Sequence, residues 1–148
     1  MSPNDFISQL SDPAKELAKT SKIPASFTVA QAAIESGWGA HAPGNNLFGI
    51  KATTDWKGAV IVLPTKEFLK GVEVTVQASF RAYLTWAGSL QDHAQFLLLN
   101  ERYKPAFATT NAFDFAKAIQ AAGYSSSPTY AQDIINTINA HSLLALDV

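Results

Sequence analysis

The stretch QAAIESGWGAHAPGNNLFGIK, Gln31–Lys51, decides how this chain is read. Its first residues continue a run in which Val29, Ala30, Ala32, Ala33 and Ile34 are apolar nearly all round, the pattern of a buried helix. Gly37 and Gly39 stop that helix. One carboxylate, Glu35, falls in its last turn. The partial negative charge of a helix C-terminus disfavours a second negative charge there. Neighbours such as Trp38 and Phe48 withdraw water from the carboxyl. Both effects raise its pKa, and a carboxylic acid still protonated near neutral pH is what a general acid must be. Spacing alone is equally compatible with a solvated Glu ahead of a glycine stop. The glycines flanking Trp38 predict a backbone that a polymer can approach closely.

Working outward, Phe6, Ile7, Leu10, Ala14, Leu17 and Ala18 have helical spacing, and Pro13 predicts a kink or a two-piece helix. Ser26 or Thr28 is the expected cap of the next helix. Ala59–Leu63 is β-branched and apolar, and Val72, Val74 and Val76 alternate with polar residues, which predicts two strands. Thr65–Gly71 is expected to turn the chain between them, with a short third strand near Gly49–Lys51. Further helices are expected at Ser89–Asn100, Ala112–Ala122 and Thr129 to about Leu144. The layout predicts one α+β domain over residues 1–148: a mainly helical lobe, a small antiparallel β-lobe at about 47–84, and a cleft between them.

The 148 residues are 47% hydrophobic and 16% charged, enough for a real core. A net charge of −1 argues against a nucleic-acid partner. With no cysteine there is no disulfide, thiolate nucleophile or Cys-ligated zinc. His41, His93 and His141 lack the spacing of a zinc pair, so neither metal nor cofactor is expected. His93, next to Asp92, is expected on a helix surface. No run approaches the roughly 20 apolar residues of a membrane span, so no membrane insertion is expected.

AQAAIESGWG followed by NNLFGIKA resembles the glucosaminidases of glycoside hydrolase family 73. The likeness continues through Thr65-Lys66-Glu67-Phe68, Phe80-Arg81-Ala82-Tyr83, Asn100-Glu101-Arg102-Tyr103, Ala122-Gly123-Tyr124 and Pro128-x-Tyr130-Ala131. It spans about Phe6 to Ile138. It implies a lysozyme-like fold whose cleft takes peptidoglycan glycan strands and cuts the β-1,4 bond between N-acetylglucosamine and N-acetylmuramic acid. On this resemblance Glu35 is the general acid. Glu67 activates water or steadies developing positive charge, with Glu73 and Asp55 as weaker rivals. Tyr124 orients the acetamido group or a water. A Glu35–Glu67 separation of roughly 5–5.5 Å would indicate a nucleophile, and roughly 6.5–9.5 Å an attacking water.

Trp38, Asn46, Phe48 and Tyr130 are the expected substrate-binding residues. Trp38 also suits packing beneath Glu35, Phe48 suits the core, and Asn46 suits holding the turn. Arg81 and Tyr83 are expected to support the fold. Ser125-Ser126-Ser127 stands where an acidic residue often precedes the proline in the family, which leaves the loop's contacts with Tyr124 open. The alternatives are a lytic transglycosylase or muramidase on the same glycan, or a non-catalytic glycan-binding module. No secretory leader is legible at the N-terminus. The expectation is a monomer made in the cytoplasm that reaches the wall by another system's release or export, as a phage endolysin does.

Overall fold

The computed structural model describes all 148 residues, Met1–Val148. Helix α1 (Pro3–Ser21) starts where Ser2 Oγ accepts the Asp5 N–H at 3.1 Å, and Lys22 closes it in a left-handed conformation. It is one continuous helix through Pro13, not the two-piece helix that was one of the two expectations there. The carbonyl that loses its partner there belongs to Gln9, on the exposed side of the helix, where water can take up the bond.

Helix α2 (Ala25–Ser36) lies at the centre of the helical body, with ten of its twelve residues buried. It packs against α1, α4 (Ala112–Ala121) and α5 (Tyr130–Ala140). Phe27 meets Phe115 of α4 edge-on, with ring centroids 4.7 Å apart. Neither Ser26 nor Thr28 caps α2 as expected; the helix begins earlier, after Pro24. Its free N–H end is held by Asp147, from the 3₁₀ segment Leu143–Asp147. Asp147 Oδ1 accepts the Ser26 N–H at 2.8 Å, and Oδ2 accepts the Ser26 hydroxyl at 2.5 Å. A carboxylate there also meets the positive end of the helix dipole.

The sheet is a two-stranded antiparallel hairpin, β1 (Val60–Leu69) and β2 (Val72–Arg81), in register from Val60↔Arg81 to Leu69↔Val72. The turn expected over Thr65–Gly71 shrinks to Lys70 and Gly71, both at positive φ (52° and 78°), as a two-residue hairpin loop requires. Thr65 to Phe68 are therefore strand. No residue of either strand is fully buried. The expected third strand reduces to a single bridge, Lys51↔Phe80, flanked by backbone bonds from Ala52 to Ser79 and from Arg81 to Ile50.

Helix α3 (Trp86–Leu99) starts three residues earlier than expected, because Thr85 Oγ1 accepts the Gly88 N–H at 3.1 Å. At the hairpin's foot Asp92 of α3 takes Arg81 Nη1 at 2.9 Å and the Tyr83 hydroxyl at 2.5 Å. Arg81 and Tyr83 thus tie the strand to the body, as expected of them. A 3₁₀ segment, Glu101–Ala108, leads on to α4.

Candidate active site

Glu35 lies in the last turn of α2, and the glycine-rich turn after that helix sets its surroundings. Gly37, Trp38 and Gly39 all have positive φ (58°, 58° and 84°), coiling the chain sharply away from the helix axis. At Gly39 a Cβ would lie 2.8 Å from the Trp86 ring. The glycine therefore admits a packed indole and not a passing polymer. Trp38 lies edge-on to Phe6 (5.7 Å) and to His141 (4.7 Å) and lines neither cavity beside Glu35. The structure gives Trp38 a packing role in place of the expected sugar contact.

Two cavities, of about 300 and 390 Å³, flank Glu35 and share Glu35, Phe48 and Gly49 in their walls. Together they form a groove between the helical body and the hairpin's foot, with Leu63 and Phe80 on the first side and Lys51, Arg81 and Tyr124 on the other. Its floor is Phe48, stacked on His93 with centroids 3.7 Å apart and planes 11° apart. Gly49 (φ 65°) has no protein atom within 4 Å of where a Cβ would stand, so bare backbone faces the groove. Asn46 reaches the wall, but its amide holds the loop. Nδ2 donates to Ile50 O and Arg81 O, both at 2.9 Å, and Oδ1 accepts the Ile50 N–H at 3.1 Å. Asn46 is a turn-holder, the second of its two expected roles.

The Glu35 carboxyl is open to the groove and crowded by protein on its other sides. That crowding raises its pKa above 4.5, while hydrogen bonds from Tyr130 and Tyr124 pull the other way. Tyr130 is buried and donates its hydroxyl to Glu35 Oε2 at 3.3 Å while accepting Gln31 Nε2 at 2.9 Å. It is thus behind the acid and unavailable as the expected sugar platform. Tyr124, in the loop between α4 and α5, lines the same cavity as Glu35, and its hydroxyl lies 2.9 Å from His93 Nε2. Burial pushes both phenols above their ordinary pKa, and the Glu35 charge adds to this.

His93 is not on a helix surface. It is 3% exposed, and burial lowers its pKa to about 3, so it is neutral. Its place is legible in hindsight: Leu90, His93, Ala94 and Leu97 form the buried i, i+3, i+4, i+7 stripe of α3. Gln31, the other side chain missed, sits one helical turn before Glu35. Ser127 bonds Ser125 and Thr129, while Gln120 straps the loop through Pro128 O and the Ala131 N–H.

Glu67 is not brought beside Glu35 in either cavity wall; Glu35 is the only carboxylate lining them. Glu67 lies on the same strand face as Leu63, four residues further out, or roughly 13 Å along β1. There it pairs with Lys51 Nζ at 2.7 Å. Glu73 pairs with Lys66 at 3.6 Å on the outer face. Nowhere in the chain do three or more His, Cys, Asp or Glu side chains assemble as metal ligands would.

Glu35 at a helix end in an interlobe groove, with a Tyr from the α4–α5 loop, can be set against known proteins. A family model described as mannosyl-glycoprotein endo-beta-N-acetylglucosaminidase matches residues 11–143. The chain belongs to this glucosaminidase family. The peptidoglycan hydrolase FlgJ of Escherichia coli K12 is 39% identical over 140 residues, which cover 90% of this chain and 45% of that protein. This glucosaminidase-family chain thus spans under half the length of that relative. Among solved structures, it resembles a C-terminally truncated glycoside hydrolase domain from Salmonella typhimurium FlgJ. There the TM-score is 0.82 at 36% identity, over 95% of this chain and 98% of that one. The catalytic domain of the Listeria monocytogenes autolysin Auto gives a TM-score of 0.88 at 29% identity, over 98% and 87% of the two chains. The lysozyme-like α+β expectation is borne out by these neighbours.

Proposed function

We propose that this chain is an endo-β-N-acetylglucosaminidase that hydrolyses peptidoglycan at the bond from N-acetylglucosamine to N-acetylmuramic acid. The observation that carries the proposal is Glu35 itself: a carboxyl with a raised pKa, backed by two phenols, at the junction of two cavities that form a continuous groove. Family membership supplies the substrate class. Glu35 gives its proton to the glycosidic oxygen as the bond to C1 breaks, and glycan entering the groove strips more water from the acid, raising its pKa further. The developing positive charge at C1 is met by water. Its proton goes to a carboxylate, for which Glu67 is the candidate once the outer hairpin swings inward and Lys51 releases it. Phe48 offers an apolar floor to a sugar face, and Tyr124 reaches the sugar's polar edge. The groove is complete within one chain, which suits a monomer acting at the cell wall.

A second reading has one observation in its favour. No second carboxylate lines the groove, as suits a lytic transglycosylase or attack by the substrate's own 2-acetamido group. Mass spectrometry of digested peptidoglycan, with and without borohydride reduction, separates the readings. Reducible N-acetylglucosamine ends are expected. Reducible muramic ends would make it a muramidase and anhydro-muramic ends a transglycosylase. No new ends from a folded sample would leave a binding module.

A further inference from the structure

The two phenols beside Glu35 carry one proton each, and the side chains behind them determine where those protons point. Gln31 is fully buried, and its Nε2 lies 2.9 Å from Tyr130 Oη. An amide NH₂ only donates, so the phenol oxygen accepts from it and the single O–H is left for Glu35 Oε2. The opposite amide orientation would present Oε1 to the phenol and draw the proton away from Glu35. On the other side, His93 Nε2 lies 2.9 Å from Tyr124 Oη. With the ring proton on Nε2, His93 donates and the Tyr124 proton goes to Glu35. With it on Nδ1, Nε2 accepts that proton and Glu35 loses a donor. Face-to-face stacking on Phe48, 3.7 Å between centroids, fixes the ring plane in which Nε2 meets Tyr124.

We propose that Gln31 and His93 are positioning residues that direct both phenolic protons onto Glu35, His93 acting in its Nε2–H form. Because Oε2 is occupied as the acceptor of Tyr130, the acid's own proton resides on Oε1, free for the glycosidic oxygen. When that proton leaves, the new carboxylate has the Tyr130 hydroxyl at 3.3 Å and Tyr124 on the same cavity wall. No other side chain has to move.

The idea rests on the reading of Glu35 as the acid, so its test is made on the carboxyl of the ligand-free protein, without turnover. The carboxyl ¹³C resonance of Glu35, assigned by its loss in Glu35→Gln, is titrated by NMR. Other titratable or charged groups around it are His41 on one cavity wall, Lys51, Arg81, Arg102 and Tyr103 on the other, and Tyr130 from α5. All of these stay unchanged in the His93 and Tyr124 variants. Removing a donor from the carboxylate raises its pKa, so His93→Phe is expected to move the Glu35 titration up by roughly one unit. Tyr124→Phe should do the same, and the double variant no more than either. His93→Gln, whose amide can donate, should restore part of the shift, and Gln31→Leu should act the same way as His93→Phe through Tyr130. An unmoved titration in His93→Phe, or shifts that add in the double variant, would overturn the proposal. Ring ¹⁵N shifts of His93 in the unaltered protein decide the matter even if a variant fails to fold: an Nδ1–H tautomer overturns it. Should the titrations behave as expected while peptidoglycan stays intact, the functional reading fails and this one stands.

Discussion

The helical body and the β-hairpin solve opposite problems. In the body, Glu35 sits at the end of a helix with ten of twelve residues buried, and every side chain behind it is packed. On the hairpin, Glu67 sits on a strand with no fully buried residue and is held by one ion pair with Lys51. Ion pairs this exposed contribute at most about 1 kcal/mol. Glu35, the proposed proton donor, therefore belongs to the most densely buried part of the molecule. Glu67, the proposed second carboxylate, belongs to the hairpin, where opening would give up the fewest buried contacts. A general acid gains from a fixed pKa and geometry, whereas a group that meets water and a polymer gains from an arm that can open and close.

The contrast can be broken at either end. The largest effect is expected from Glu35→Gln, which should lower release of reducing ends by roughly 10³–10⁴-fold, within the range for a lost general acid. Its melting temperature should not fall, because the raised pKa shows that the body prefers an uncharged group there. Near-normal turnover in the folded variant would remove Glu35 from the chemistry. Next comes stability: Phe27→Ala should cost about 3–5 kcal/mol in urea unfolding. Phe68→Ala, 73% exposed on the hairpin, should stay within about 0.5 kcal/mol. Similar costs at the two sites would show the hairpin to be as firmly built as the body.

Glu67→Gln should lower hydrolysis by roughly 10²-fold with binding kept; an unchanged rate, with anhydro products, would mean that the arm supplies no base. A last effect concerns acid. His93 is neutral in the native state down to about pH 3, while the unfolded chain protonates near the ordinary 6.5. Between those values the unfolded state binds a proton that the native state refuses. Stability therefore falls as pH drops through that window, with a slope of up to about 1.4 kcal/mol per unit. His93→Gln should flatten the fall between about pH 7 and pH 4; parallel curves would place the titration elsewhere.

The parts of the fold set by local chemistry are legible in the sequence: the apolar run of α2, its glycine stop, the alternating valines of β2 and the acid at the helix end. What is not legible depends on distant partners. Asp147 caps Ser26 from 121 residues away, and no local rule announces it. Lys70-Gly71 makes a two-residue turn without the Asn-Gly or Asp-Gly signal, so Thr65–Phe68 has the look of a loop. Trp38 and Tyr130 point to sugar in the sequence because aromatics in a site motif invite that role. Their real neighbours, Phe6 and His141 for one, Gln31 and Glu35 for the other, come from across the core. His93 is hidden by its polar neighbours Gln91, Asp92 and Gln95, although its own spacing is that of the core.

The clasp between Asp147 and Ser26 gives the molecule a temporal order. A ribosome delivers the helix bearing Glu35 long before it delivers the carboxylate that closes that helix's open end. Until then the first turn of α2 has only water for its N–H groups, and early in synthesis its surroundings from α4 and α5 do not exist. Glu35 is thus made early and its surroundings late: Tyr130 follows it by 95 residues, and the clasp at Ser26 waits for Asp147.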